Sequence, residues 1–273
     1  MSGKPEIAKQ VKTGHYMTNY HDEGVGFPVT LIHGSGPGVS AWANWRLVIP
    51  ELSKNRRVLA PDMVGFGYTD RPEGLRLDMN TWVQQTIDFL DALGIEQTDI
   101  VGNSFGGALA LAMAIRYPNR VRKLVLMGAM GVDFEITKGL DDVWGYEPSV
   151  ERMKEMLSLF VYNKAIATDD LAKMRYEASV EPGFQESFAS MFPAPRQQWV
   201  AFMAQPDDAI AAIEHDTLVI HGRDDEVIPM ENSLKLLNLI KNSQLHIFGK
   251  CGHWTQIEQN KGFNQIVDTF LVK

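Results

Sequence analysis

The chain has 273 residues, 45% of them hydrophobic, and a formal net charge of −8, which predicts one main globular domain with a large core. The acidic balance argues against nucleic acid or an anionic membrane surface as a partner, and no stretch approaches the roughly 20 apolar residues of a membrane span. Residues 1–6 lack an apolar signal region, so a cytoplasmic location is expected. The single cysteine, Cys251, excludes an internal disulfide and a structural zinc site.

Short apolar runs recur along the chain with helical stretches between them. The runs predict buried parallel strands at residues 28–32, 57–60, 99–101, 123–127, 217–220 and 244–248. Apolar residues at helical spacing predict helices at residues 81–93, 108–115, 233–240 and 263–271. This alternation predicts an α/β fold, with a mostly parallel central sheet and helices on both faces.

The alternation stops between about Val132 and Ala212. Apolar residues at helical spacing and several prolines there predict helices with no strand between them. We interpret residues 133–212 as a helical cap inserted into a core formed by residues 1–132 and 213–273. A cap at this point of the chain would cover the end of the sheet, exclude water and line a substrate pocket.

Ser104 lies where a predicted strand turns into a helix, in the sequence Gly102-Asn103-Ser104-Phe105-Gly106. The pattern Gly-x-Ser-x-Gly alone is weak support, but at a strand-to-helix turn it is typical of a nucleophile elbow. Small neighbours are needed because the serine backbone is held in a strained turn that lifts its hydroxyl clear of the sheet. The sequence therefore predicts Ser104 as a nucleophile.

A catalytic serine needs a base, and the base needs an orienting acid. His253 follows the predicted strand at 244–248, and two adjacent carboxylates, Asp224 and Asp225, follow the strand at 217–220. The order serine, acid, histidine is that of α/β-hydrolases, and all these positions lie at carboxyl ends of strands, where open α/β sheets place their sites. Spacing alone leaves Asp224 and Asp225 both open as the acid.

The loop at residues 33–38, His-Gly-Ser-Gly-Pro-Gly, follows the first predicted parallel strand. Acyl transfer needs donors aimed at the developing oxyanion, and we assign the backbone N–H groups of Ser35 and Phe105 to that role. The glycines do not form Gly-x-Gly-x-x-Gly, and Pro37 removes an N–H that a phosphate would use, so a dinucleotide cradle is rejected. The expected chemistry needs no metal and no organic cofactor.

Four motifs together closely resemble the meta-cleavage product hydrolases of bacterial aromatic degradation, which belong to the α/β-hydrolase superfamily. The similarity runs from about Asn19 to the C-terminus and is to the branch of 2-hydroxymuconate semialdehyde and alkyl-substituted dienoate hydrolases. The motifs are residues 33–38 with 42–46, residues 102–107, residues 191–196 and residues 251–254.

The resemblance implies hydrolysis of the C5–C6 bond of a 2-hydroxy-6-oxohexa-2,4-dienoate to 2-hydroxypenta-2,4-dienoate and a carboxylic acid. It favours Asp225 as the acid, because the family pattern Gly-x-x-Asp-x-x-x-Pro falls on Gly222, Asp225 and Pro229. It also implies a possible homodimer. The residues that it implies for the dienoate carboxylate and enol oxygen are Asn44, Asn103, Arg175 and Trp254, and the candidates for contact with the C6 substituent are Met130, Trp144, Trp199 and Ile228.

Two other functions remain open from the residues alone. An ordinary carboxylesterase needs the same triad and oxyanion donors but no pocket for an acidic dienol. A non-catalytic ligand sensor could use the same scaffold with a degenerate triad. The serine at position 104 counts against epoxide hydrolases and haloalkane dehalogenases, which place a carboxylate at the elbow.

Overall fold

The structure, a computed structural model, describes residues 4–272. Within this range eight strands form one sheet. In chain order they are β1 (Lys9–Thr13), β2 (Tyr16–Glu23), β3 (Pro28–Ile32), β4 (Arg57–Pro61), β5 (Thr98–Asn103), β6 (Val121–Met127), β7 (Asp216–Gly222) and β8 (Ser243–Phe248). Their spatial order is β1-β2-β4-β3-β5-β6-β7-β8.

The sheet is parallel from β4 to β8 and antiparallel at one end. β2 runs antiparallel to both β1 and β4, whereas the pairings β4-β3, β3-β5, β5-β6, β6-β7 and β7-β8 are parallel. The six parallel strands are the six that the sequence predicted. The sequence does not reveal the hairpin of β1 and β2, because both strands carry many polar residues and lack a continuous apolar run.

Helices cover both faces of the sheet, which confirms the predicted fold class. One buried cluster packs α1, α2 and α13 against one face, and a larger cluster packs α3, α4, α11 and the helices between β6 and β7 against the other. The helices are α1 (Ala41–Trp45), α2 (Ile49–Leu52), α3 (Met79–Ala92), α4 (Phe105–Arg116), α5 (Lys138–Trp144), α6 (Val150–Phe160), α7 (Asp169–Ser179), α8 (Phe184–Met191), α9 (Gln197–Met203), α10 (Asp207–Ala211), α11 (Met230–Leu239), α12 (Thr255–Glu258) and α13 (Asn260–Val272).

Six helices, α5 to α10, lie between β6 and β7 in the described chain, and no strand interrupts them. Thr137, Ser149 and Thr168 begin three of them, because each side chain accepts a hydrogen bond from the backbone N–H three residues further on. This arrangement agrees with an inserted cap, although the division at 132/133 and 212/213 stays a prediction. Among residues 4–272, no helix has both the length and the apolar character needed to cross a bilayer.

Candidate active site

Ser104 occupies the sharp turn between β5 and α4. Its backbone has φ 53° and ψ −113°, in the positive-φ region that residues other than glycine rarely adopt. Glycine is required on both sides, since a Cβ at Gly102 would lie 2.3 Å from the Gly106 carbonyl oxygen and a Cβ at Gly106 would lie 2.2 Å from that of Ile32. The close approach of these backbones places Ser104 at the carboxyl end of the sheet.

His253 and Asp225 form a hydrogen-bonded pair. His253 Nδ1 donates to Asp225 Oδ2 at 2.7 Å, and both side chains are at most 5% exposed. Burial alone would raise the pKa of the Asp225 carboxyl, but the facing His253 and His221, together with backbone donors, hold it below its usual value. The other candidate acid, Asp224, instead accepts from the backbone N–H of Cys251 at 3.3 Å. The structure thus brings Asp225 rather than Asp224 to the histidine.

The loop after β6 is the common neighbour of all three predicted triad residues. The Ser104 N–H donates to the Met127 carbonyl at 2.9 Å, and the Met130 N–H donates to the Ser104 carbonyl at 3.0 Å. Between them, Gly128 has φ 48°, and a Cβ there would lie 3.2 Å from the His253 ring and 3.3 Å from Asp225 Oδ2. The residues predicted as nucleophile, base and orienting acid therefore flank one loop, as acyl transfer requires of such a triad.

The loop predicted to carry an oxyanion donor is held by His33. His33 Nδ1 donates to the Gly34 carbonyl at 2.7 Å, and its Nε2 accepts from the Met63 N–H at 3.0 Å. Burial lowers the pKa of His33 to about 4, so the ring is neutral, as these two bonds require. Within residues 4–272, the N–H groups of Ser35 and Phe105 have no protein acceptor, which leaves both available to an oxyanion.

A cavity of about 650 Å³, counting space open to solvent, lies between the 34–39 loop, α1, the cap helices α6 and α7, and residues 253–257. It brings together His253 and all four residues implied for the dienoate, namely Asn44, Asn103, Arg175 and Trp254. The rest of the lining is mostly apolar and includes Met153, Met156, Leu157, Phe160 and Leu171. No carboxylate is among the described residues that line it.

Two arginines line this cavity. Arg175 Nη2 donates to the Gly38 carbonyl, and Arg46 Nη1 donates to the Ala43 carbonyl at 2.6 Å. Burial lowers the pKa of both guanidinium groups, and the charge of Arg46 lowers that of Arg175 further. Both cations are thus partly stripped of water, which favours binding of an anion in the cavity.

Arg46 and Gln256 line the cavity although the sequence analysis did not single them out as site residues. Arg46 lies within the 42–46 motif, but a charged residue next to a short amphipathic helix is usually solvated. Buried polar atoms without a partner in residues 4–272 mark the same region: Asn44 Nδ2 and Gln256 Oε1. Such atoms are uncommon in native proteins, and at a cavity wall they are the groups that a ligand satisfies.

Three of the four residues suggested for the C6 substituent lie close to the triad. Met130 and Ile228 are 0% exposed and Trp144 is 2% exposed. The Met130 N–H donates to Ser104, the Ile228 N–H donates to Asp225 Oδ1 at 2.9 Å, and Trp144 Nε1 donates to Ser35 Oγ at 3.0 Å. All three are buried beside residues predicted for the triad or for the oxyanion, and none of them is among the described residues that line the cavity with the arginines.

Trp199 is not brought to this cavity. It borders a second cavity with Phe192, Phe202 and Met203, and its indole N–H donates to the Pro193 carbonyl at 2.6 Å. The reason is the orientation of α9, which buries Val200 and Met203 and leaves Trp199 only partly buried. Sequence spacing cannot predict which face a short cap helix turns inward.

Known proteins resemble this chain in sequence and in fold. Residues 28–259 match the family model of the alpha/beta hydrolase fold. A 2-hydroxy-6-oxo-2,4-heptadienoate hydrolase of Pseudomonas putida is 60% identical over 97% of this chain and 96% of its own, and a 2-hydroxymuconate semialdehyde hydrolase of Pseudomonas sp. (strain CF600) is 56% identical over 98% and 95%. The solved structure of a meta-cleavage product hydrolase from Pseudomonas fluorescens superposes with a TM-score of 0.98, at 56% identity and 98% coverage of each chain. The chain therefore belongs to the meta-cleavage product hydrolases of the α/β-hydrolase fold.

Proposed function

We propose that this protein hydrolyses the C5–C6 bond of a 2-hydroxy-6-oxohexa-2,4-dienoate to 2-hydroxypenta-2,4-dienoate and a carboxylic acid. The observation that carries the proposal is that His253 and the guanidinium of Arg175 line one cavity, and that no carboxylate is among its described lining residues. A planar guanidinium binds a carboxylate through two parallel hydrogen bonds. An ordinary esterase has no use for such a cation, whereas the dienoate carries a carboxylate at the end remote from the bond that breaks.

The chemistry sets two demands, protonation of C5 and attack on the C6 carbonyl. Carbon is a poor leaving group, so the dienol must first lose its 2-hydroxyl proton and gain a proton at C5, which gives a keto tautomer whose departing fragment leaves as a conjugated enolate. His253 then removes the proton of Ser104, whose oxygen adds to the C6 carbonyl, while Asp225 holds the imidazole tautomer and stabilises its charged form. The Ser35 and Phe105 amides hold the oxyanion until the C5–C6 bond breaks, and the 2-oxygen of the departing enolate takes up the proton that His253 holds. Water, activated by His253, then releases the acid and leaves Ser104 free again.

The C6 substituent is small in this proposal, either hydrogen or methyl. The relatives named above act, by name, on a heptadienoate and on a semialdehyde, which carry methyl and hydrogen at that position. The packing of Met130, Trp144 and Ile228 supports the same choice, since each is at most 2% exposed beside the groups proposed for catalysis. A phenyl substituent would have to displace close-packed side chains, which costs about 1–3 kcal/mol or more.

The test compares Arg175→Gln with Arg152→Gln, a matched change at an exposed arginine of the cap that pairs with Glu155. Loss of a charge-assisted hydrogen bond costs about 1.5–3 kcal/mol, so Arg175→Gln should lower kcat/KM for the dienoate by roughly 10- to 100-fold. Hydrolysis of a neutral p-nitrophenyl ester should change less than about 3-fold, and Arg152→Gln should leave both rates near wild type. Equal losses for dienoate and ester in Arg175→Gln would favour a carboxylesterase.

We also infer that the protein acts in the cytoplasm on a free small molecule and assembles as a homodimer. The edge strand β8 supports the assembly, because its outer side is unpaired in the described sheet and Ile247 is 43% exposed. Light scattering should give twice the mass of one chain, and Ile247→Lys should shift that mass toward the monomer. A wild-type mass equal to one chain would overturn the dimer.

A further inference from the structure

Arg46 is a second cation in the wall of the cavity, beside the one that the proposed function uses. Its guanidinium is anchored by the bond from Nη1 to the Ala43 carbonyl at the end of α1, which also carries Asn44. The cavity lining contains no described carboxylate to neutralise it. Glu6 is the acidic residue that acts on both Arg46 and Arg175, and its effect on the pKa of each is smaller than that of burial.

Two partly desolvated cations close together are unfavourable unless a ligand supplies negative charge or acceptor oxygens. One carboxylate can bind to Arg175, which leaves Arg46 without an anionic partner among the residues that line the cavity. Asn44 Nδ2 adds a buried donor that has no acceptor within residues 4–272. The donors on this wall thus exceed what a simple carboxylate can use, and they fit a ligand with a second oxygen next to the carboxylate.

We propose that Arg46 is a substrate-binding residue that contacts the oxygen at C2 of the dienoate. Arg46 and Arg175 then recognise the 2-oxygen and the carboxylate as one unit, with Asn44 Nδ2 as an additional donor. Gln256 Oε1, buried and unpartnered in the described chain, would accept a hydrogen bond from a 2-hydroxyl. This inference rests on the proposed function and assigns to Arg46 the selection of 2-oxygenated dienoates over plain unsaturated acids.

The test uses two ligands that differ only at C2, 2-hydroxy-6-oxohepta-2,4-dienoate and 6-oxohepta-2,4-dienoate. Both are titrated into Ser104→Ala, which prevents turnover, with quenching of tryptophan fluorescence as the readout, since Trp254 lines the cavity. Adding Arg46→Gln should raise the dissociation constant of the hydroxylated ligand by roughly 10- to 100-fold and that of the other ligand by less than about 3-fold. Adding Arg175→Gln should weaken both, and adding Arg152→Gln neither.

The difference between the two ligands separates recognition from a structural effect. If Arg46 merely supports α1, Arg46→Gln will weaken both ligands equally, and this result would overturn the inference. Unchanged binding of both ligands would overturn it as well. Arg46→Lys provides a second test, since it keeps the positive charge and should restore a preference for the hydroxylated ligand. Failure of the proposed function is a separate result, namely absence of dienoate turnover by the wild-type protein.

Discussion

Ser104, the predicted nucleophile, has a strained backbone conformation. Its φ of 53° carries a cost of about 1–3 kcal/mol, which the neighbouring contacts must offset. The backbone of Ser104 donates a hydrogen bond to Met127 and accepts one from Met130. These bonds, and the close approach of Gly102 to Gly106, fix the turn. The backbone alone thereby positions the Ser104 hydroxyl, because the hydroxyl makes no capping hydrogen bond to α4.

Ser104→Ala should lower kcat by at least ~10³-fold while the dissociation constant of the dienoate stays within a few-fold of wild type, since only the nucleophile is removed. Single-turnover kinetics measures the first quantity, and a binding titration measures the second. Near-normal turnover would contradict the role of the serine.

Asp225→Asn and Asp224→Asn form a matched pair of neighbouring substitutions. Asn at 225 should lower kcat by about 10³- to 10⁴-fold, because an amide that faces His253 Nδ1 favours the wrong tautomer. Asn at 224 should change kcat by only a few-fold, because that carboxylate bonds to the Cys251 backbone. Steady-state rates on one dienoate are sufficient, and the reverse ranking would assign the acid to Asp224.

The triad residues could be found from the sequence because each directly follows a strand that a run of apolar residues predicts. The choice between Asp224 and Asp225 could not be made from spacing. It depends on the turn after β7, where the N–H groups of Val227 and Ile228 both donate to Asp225 Oδ1. Arg46 could not be predicted for a related reason, since the cavity that it lines is formed in part by cap residues more than 100 positions away.

At the level of elements, the loop after β3 and the loop after β4 are joined through His33. The ring accepts from Met63 in one loop and donates to Gly34 in the other, and both bonds require the neutral form. Asp62, in the same region, accepts from the N–H groups of Ala41 and Tyr68 and from Asn19 Nδ2, while burial raises its pKa to about 6. The loop predicted to hold the oxyanion therefore depends on two buried titratable groups.

The pKa of His33 is lowered from 6.5 to about 4, so the unfolded chain binds a proton between these pH values and the folded protein does not. This difference adds about 3 kcal/mol to the free energy of unfolding above pH 6.5. The stabilisation by His33 is lost as the pH falls toward 4. Asp62 has the opposite effect on the free energy of unfolding. Its pKa is raised, so on acidification the folded protein takes up this proton before the unfolded chain does, which stabilises the fold.

Urea unfolding of wild type and His33→Gln at pH 7 and pH 4.5 isolates the histidine, since all other groups titrate in both proteins. On acidification the variant should lose about 2–3 kcal/mol less unfolding free energy than wild type. Identical losses would show that His33 is protonated in the folded protein.

The cap helices could be predicted as helices but not in their orientation. Their periodicity, caps and prolines are local signals, and these predicted a segment without strands. Which side of α9 faces the core depends on tertiary packing, and Trp199 lies at the second cavity, beside residues of α3 and α8, rather than at the site. The β1-β2 hairpin was missed because its strands lack the apolar run by which the other strands were recognised.

Taken as a whole, the proposed site has a part that reacts and a part that binds the carboxylate, and His253 borders both. The sheet ends supply Ser104, Asp225 and His253, while the cavity under α6 and α7 supplies the cations. Phe160, the last residue of α6, stacks on Trp254 at 4.9 Å and so joins the cap to the histidine loop. A substrate that reaches both parts must carry its carboxylate at one end and its reactive carbonyl at the other.

The C6 substituent tests this division. Met130→Ala removes buried volume beside Ser104, so it should raise the ratio of kcat/KM for a phenyl-substituted dienoate to that for the methyl-substituted one by about 10-fold. Met174→Ala is the control, because Met174 is 62% exposed on the cap. Rates on the two substrates measure the ratio, and an unchanged ratio in Met130→Ala would place the C6 group elsewhere.

The claim that the wild-type protein hydrolyses a carbon–carbon bond can be tested directly. The purified protein is mixed with 2-hydroxy-6-oxohepta-2,4-dienoate, and the loss of its visible absorbance is followed beside hydrolysis of a p-nitrophenyl ester. We predict rapid bleaching, with kcat/KM for the dienoate well above that for the ester. Brisk ester hydrolysis without bleaching would contradict the claim and identify a carboxylesterase.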